Sequence, residues 1–191
     1  MKLQTTNYKL QTDKGFSLIE LLVSIAVLVV VSGIVFFNQS GFNNSILIEN
    51  LAYEISLTIR QAQSYGLQSK ETAVGGTFEA GYGVYFTTAS PNNNKVILYA
   101  DDGTVDKRYT AGDDTLIETL KMATGNTVTR LCTDSSCEIT ELDISFIRPN
   151  PTAYINGGEN NIGEVYITSA KGEVKKIVVN KLGQISIGEE E

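Results

Sequence analysis

Lys14-Gly15-Phe16-Ser17-Leu18-Ile19-Glu20 opens an almost unbroken apolar run that continues to Phe37, and this stretch decides the fold. The run holds about 22 residues. At ~1.5 Å rise per residue it forms a helix roughly 33 Å long, against a hydrocarbon core of ~30 Å. It is long enough to span a bilayer. A secretory signal peptide has a shorter apolar core, roughly 7–15 residues, and its cleavage site follows that core. A plain anchor gains nothing from Glu20, because an ionised carboxylate in hydrocarbon costs several kcal/mol. A chain that keeps this residue has a partner for it. Residues 1–15 carry Lys2, Lys9 and Lys14 against Asp13, a net of +2, so the remainder of a −7 chain carries −9. A basic flank beside an apolar run is retained on the cytoplasmic side. The acidic remainder then lies outside.

The arrangement of Lys14, Gly15 and Glu20 around the apolar run resembles the processing site of type IV prepilins and pseudopilins. The resemblance implies that a prepilin peptidase cuts between Gly15 and Phe16 and methylates the new N-terminus at Phe16. The cut leaves a positive α-amine on Phe16, with Glu20 one helical turn further in. In a staggered stack of such helices, Glu20 of one subunit meets the Phe16 amine of a neighbour. Pairing offsets the cost of burying both charges. Most pilins of this kind carry a proline near the end of the run. Here there is none between Phe16 and Phe37, and Gly33 is the single breaker inside it. Any melted or bent section is therefore expected at residues 38–44, Asn38-Gln39-Ser40-Gly41-Phe42-Asn43-Asn44.

From Ser45 the helical period resumes. Ile48, Leu51/Ala52, Ile55, Ile59 and Ala62 recur at three- and four-residue steps, the signature of an amphipathic helix. Asn44 or Ser45 is the expected cap and Gly66 the expected end. The stripe reads as the core face for a sheet. Leu47, Tyr53 and Leu57 lie off it and are left for filament neighbours.

Beyond about residue 75 short β-type runs alternate with turn residues. Strands are expected at 82–88, 95–100, 127–131, 139–147, 154–155, 164–168, 174–179 and 184–187. Gly81-Tyr82-Gly83-Val84-Tyr85-Phe86 resembles a block in the H-type minor pseudopilins and related minor pilins, the GspH/FimT group. The closing segments 167–172 and 177–185 are similar to that group's C-terminal hairpin.

The chain has no His and two Cys, which removes histidine-based triads and ordinary zinc sites. No motif suggests an enzyme, and no cofactor is expected. Cys132 and Cys137 enclose Thr133-Asp134-Ser135-Ser136 between β-patterned runs, so a structural disulfide is the favoured reading, with free thiols the rival. Asp101, Asp102 and Asp106 belong to an acidic stretch that also holds Asp113 and Asp114. Some major pseudopilins bind calcium through an acidic loop. The spacing here is not that of an EF-hand, and Asp-Gly is a common hairpin turn, so solvated turns are the favoured reading. Lys171, Lys175, Lys176 and Lys181 are the basic concentration of the ectodomain. Some related minor pilins bind DNA through their C-terminal region. Lys lacks the bidentate fork of Arg, Glu173 and Glu189-Glu190-Glu191 lie beside these residues, and an acidic balance opposes phosphate. DNA is therefore not the expected partner.

The expected fold is α+β: a long N-terminal helix, half membrane and half amphipathic, packed on a small antiparallel sheet. The expected segments are a leader over 1–15 that is removed, a transmembrane and filament-core helix over 16–37, an amphipathic helix over 38–68 and a β-rich head over 69–191. The resemblance implies a structural minor pilin or pseudopilin in the cytoplasmic membrane, single-pass, with its N-terminus cytoplasmic and its head outside. Its expected partners are the prepilin peptidase, other pilins or pseudopilins, the inner-membrane assembly platform and the lipid bilayer. The filament is a type II secretion pseudopilus or a type IV pilus. The alternative is a DNA-binding minor pilin for DNA uptake.

Overall fold

A computed structural model describes residues 15–68, 81–104, 106–123 and 125–189, without the side chains of residues 37–43. Residues 1–14, which include Lys14, residues 69–80, Val105, Thr124 and Glu190-Glu191 lie outside the described residues. The fold is α+β. The chain divides into two compact units, Met1–Gly41 and Phe42–Glu191.

Helix α1 covers Leu18–Leu67. Its apolar portion, Leu18–Phe36, is long and apolar enough to cross a membrane, and its side chains are almost all exposed. The hydroxyl of Ser24 donates to the carbonyl of Glu20 at 2.7 Å. This back-bond satisfies the hydroxyl within its own helix.

The helix runs through residues 38–44, where the sequence placed any melted section, and Asn44 and Ser45 lie inside it and do not cap it. Asn and Ser cost only tenths of a kcal/mol each in a helix, and Gly about 1. None of them removes a backbone N–H as proline would. The hydrogen-bond ladder therefore continues.

In the second unit, Ile48, Leu51, Ala52, Ile55, Ile59 and Ala62 form the buried stripe of α1, and Leu47, Tyr53 and Leu57 are exposed. Gly66 sits in the last turn. A Cβ there would collide with the carbonyl oxygen of Phe146. Only glycine lets the helix come this close to the sheet.

Among the described residues nine strands follow: β1 (Gly81–Thr87), β2 (Lys95–Asp101), β3 (Thr115–Lys121), β4 (Thr127–Thr133), β5 (Glu141–Phe146), β6 (Ala153–Ile155), β7 (Ile162–Thr168), β8 (Val174–Asn180) and β9 (Ile185–Glu189). They make a five-stranded sheet, β3-β2-β1-β5-β6, and a four-stranded sheet, β4-β7-β8-β9. Every pairing between these strands is antiparallel. Strand alternation sends Val84, Phe86, Leu98, Leu142 and Ile144 of the first sheet inward, and Leu131, Val165, Ile167, Ile177 and Val179 of the second. These residues and the α1 stripe share one core.

The sequence reading placed no strand at β3. Leu116, Ile117 and Leu120 follow a helix-like spacing. The pairing explains why: Leu98 faces Glu118 but Tyr99 faces Leu116, so Ile117 is an extra residue at a β-bulge. A bulge breaks the period of two on which strand recognition rests.

Candidate functional site

The N-terminal site begins with Gly15, around which a Cβ would meet no atom within 4 Å. Phe16 is 81% exposed. The amide of Leu21 donates to the carbonyl of Ser17 at 3.1 Å, which closes the first turn. Glu20 lies in that turn. A carboxylate suits the positive end of the helix dipole. Phe16 and Glu20 are four residues apart, about one turn. Among the described residues the Glu20 carboxylate has no hydrogen-bond or ion-pair partner, although its surroundings along the helix are apolar. The arrangement places an open glycine, an exposed phenylalanine and one carboxylate at the head of an apolar helix.

In the second unit Cys132 and Cys137 are joined by a disulfide. The enclosed loop is tied to the segment before β7. Ser135 Oγ donates to Asn160 Oδ1 at 2.7 Å, and Asp134 accepts from the backbone and side-chain nitrogens of Asn161 at 3.1 and 2.8 Å. The Asn161 side chain holds the Asp134 carboxyl below its ordinary range. Glu164 lies near both sulfurs. A disulfide offers no thiolate, so this trio is not a soft metal site.

The acidic stretch shapes the loop between β2 and β3. Asp101 accepts from Lys107 N at 2.8 Å, Asp106 from Arg108 N at 2.9 Å, and Asp102 from the amide and hydroxyl of Thr115 at 3.0 and 2.9 Å. Asp113 accepts from Thr104 N and Asp114 from Thr110 N. Asp101, Asp102 and Asp106 thus act as turn acceptors. Among the described residues no three of these carboxylates converge on a common point. Burial pushes the Asp101 carboxyl up to about 6.

Asp143, which sequence reasoning passed over, is a stronger anomaly. It is 5% exposed on the outer side of β5. Its Oδ1 accepts from Tyr109 N at 2.9 Å and from the Tyr99 hydroxyl at 3.3 Å. Burial pushes its carboxyl up to about 7 despite those bonds. The signal in the sequence was an Asp inside Leu142-Asp143-Ile144-Ser145-Phe146, at a position that alternation sends away from the core. The loop from β2 to β3 covers it.

The four lysines do not form one patch. Lys175 and Lys176 are successive on β8 and so point to opposite faces. Lys175 pairs with Glu189 at 2.8 Å, which holds its ammonium above the ordinary range. Lys176 lies 4.0 Å from Glu164 and 5.9 Å from the Tyr166 ring centroid. Lys171 and Lys181 lie in the turns on either side of β8.

Residues 10–36 match the prokaryotic N-terminal methylation motif. No curated protein and no solved structure matches the chain. The matched motif is that of a type IV pilin-like protein, a subunit type that prepilin peptidase processes and that assembles with other pilins. With the apolar helix beside it, it fits membrane anchoring.

Proposed function

We propose that this chain is a minor pilin or pseudopilin, a structural and non-enzymatic subunit of a type II secretion pseudopilus or a type IV pilus. The observation that carries the reading is the combination of Gly15, Phe16 and Glu20 at the head of an exposed apolar helix. Residues 1–15 are the leader, removed by prepilin peptidase, and Phe16 is then methylated. Residues 16–37 cross the membrane and later line the filament core. Residues 38–68 carry the amphipathic helix into a head formed by 69–191. The leader charge of +2 against −9 beyond it supports a cytoplasmic N-terminus and an external head. An oxidising compartment suits Cys132 and Cys137. The inner-membrane assembly platform is the partner that lifts the subunit out.

Glu20 sets the register. An unpaired carboxylate in hydrocarbon costs several kcal/mol, and the Phe16 amine of a neighbour relieves it. Subunits out of register leave both charges unpaired. The blocks 81–86, 167–172 and 177–185, which fall on β1, β7, β8 and β9 and their turns, favour the GspH/FimT-type minor subunits within this class. The test is coexpression with a prepilin peptidase followed by intact-mass measurement. Loss of residues 1–15 and one added methyl on Phe16 are expected. An unprocessed chain, or a cut beyond residue 30, refutes the reading.

A further inference from the structure

Among the described residues the outer face of the five-stranded sheet is covered at Asp143 and open at Leu116. The loop between β2 and β3 lies over its Asp143 side, where Tyr109 stacks against Tyr85 and Tyr99 with ring centroids 5.1 and 5.2 Å apart. Beside it runs an open groove of about 580 Å³, lined by Tyr85, Ile97, Tyr109 and Leu116, with Lys95 and Lys121 also on its wall.

Three observations describe what would fill this groove. Its floor is apolar and aromatic, yet Leu116 remains 51% exposed. Lys95 and Lys121 stand directly opposite one another in the β2–β3 register. Like charges in that position are destabilising. Among the described residues neither has an ion-pair partner. Lys95 Nζ donates only to the neutral Asn92 Oδ1, at 3.2 Å, and Glu54, which shares a neighbouring hollow with Lys121, makes no ion pair with it. In a chain of net charge −7, two facing lysines that no carboxylate contacts directly are an unmet electrostatic demand, with Glu141 held off by its bond to the Tyr85 hydroxyl. Finally, among the described residues β3 pairs with β2 alone, which leaves its other edge open. An open edge presents unpaired N–H and C=O groups on which an extended chain can add as a strand.

We propose that the groove and the open edge of β3 form a docking surface for an extended acidic segment of a partner protein. Its carboxylates neutralise Lys95 and Lys121, and an apolar side chain further along seats on Leu116. The register fixes the spacing. Lys121, Thr119 and Leu116 face Lys95, Ile97 and Tyr99 across the β2–β3 pairing, with the bulge at Ile117 absorbing one residue. A guest strand therefore needs its acidic and apolar residues on one face, four positions apart. The inference is independent of the pilin reading, since it rests on the head alone.

The test uses the full chain in detergent micelles and two fluorescein-labelled hexapeptides, Glu-Thr-Glu-Thr-Phe-Thr and Lys-Thr-Lys-Thr-Phe-Thr. Anisotropy should rise with the acidic peptide only. Binding should weaken about tenfold or more in the double variant Lys95→Gln with Lys121→Gln, and should weaken with added salt because the contacts are partly exposed. Leu116→Ser should weaken it too, while Lys171→Gln with Lys181→Gln should leave it unchanged. Circular dichroism checks that each variant is folded. Absence of binding to the wild-type chain, equal binding of the basic peptide, or binding that survives the Lys95/Lys121 double variant would overturn the proposal. Sedimentation without peptide covers the remaining occupant: self-association that the same double variant abolishes would assign the groove to a second copy and overturn a separate partner.

Discussion

Replacing Asp143 by Asn should stabilise the head at pH 8 and change little at pH 4. Asp143 is almost wholly buried, and its carboxyl has a pKa of about 7 against 3.8 in the unfolded chain. A raised folded-state pKa means that the native protein holds a proton that the unfolded chain has lost. The stabilising contribution is therefore complete below about pH 4 and is lost as pH rises through 7. The difference of about 3 units corresponds to roughly 4 kcal/mol at ~1.4 kcal/mol per unit. Asn resembles the protonated form: its oxygen can accept from Tyr109 N and the Tyr99 hydroxyl, and it has no charge to desolvate. At pH 8 the variant should gain on the order of 4 kcal/mol, or roughly 8–16 °C in melting temperature for a unit of this size. The assay is thermal melting of the chain in detergent micelles, followed by near-ultraviolet dichroism of the tyrosines at pH 4, 6 and 8. The wild type should lose stability from pH 4 to pH 8, with Asp101 adding to the loss through its own carboxyl near 6. Asp134, whose pKa is lowered, acts only as pH falls below about 4 and does not enter this window. A variant shifted equally at pH 4 and pH 8, or a wild type that gains stability across that range, would refute the argument.

Three further outcomes are expected. Glu20→Ala should insert and be cleaved but fail to assemble efficiently, because the Phe16 amine of a neighbour loses its partner; normal pull-down with other pilin subunits and normal piliation or secretion would contradict this. Cys132→Ala should lower the melting temperature by several degrees without abolishing folding, since a loop this short contributes only about 2 kcal/mol, and peptide mapping of exported wild-type protein should find one linked pair. Gly66→Ala should destabilise by roughly 1–3 kcal/mol, the usual cost of forcing an extra carbon into a filled site; a gain of about 1 kcal/mol, as helix propensity alone would give, would show that the Phe146 carbonyl yields.

What the sequence disclosed follows from which interactions are periodic. The α1 stripe from Ile48 to Ala62 was legible because one sheet covers one face of one helix, and a period near 3.6 records that directly. Most strands were legible for the same reason at a period of two. β3 was not, because Ile117 is inserted into its ladder and shifts Leu116 out of alternation. Asp143 was not, because its burial depends on a loop some 34 residues earlier in the chain folding over it, and no local pattern encodes a lid. The uninterrupted helix at 38–44 was misjudged because polar residues and glycine were weighed as breakers where only proline would remove a backbone donor. At the N-terminus, Glu20 stood out because a charge in an apolar run is anomalous whatever the fold. The dispersal of the four lysines over two faces and two turns emerged only from their placement around β8.

The buried stripe of α1, closed at its end by the contact of Gly66 with Phe146, also determines how the head bears mechanical load. From Ile48 to Gly66 the stripe is about 27 Å long at ~1.5 Å per residue. A pull along the helix axis acts on all of these contacts in parallel, in shear, so none yields until many do. A pull on β9 acts on a strand that, among the described residues, pairs with β8 alone at the edge of its sheet and can be peeled away one hydrogen bond at a time. The same unit is therefore stiff toward traction along α1 and compliant toward traction on β9, so its mechanical strength is directional.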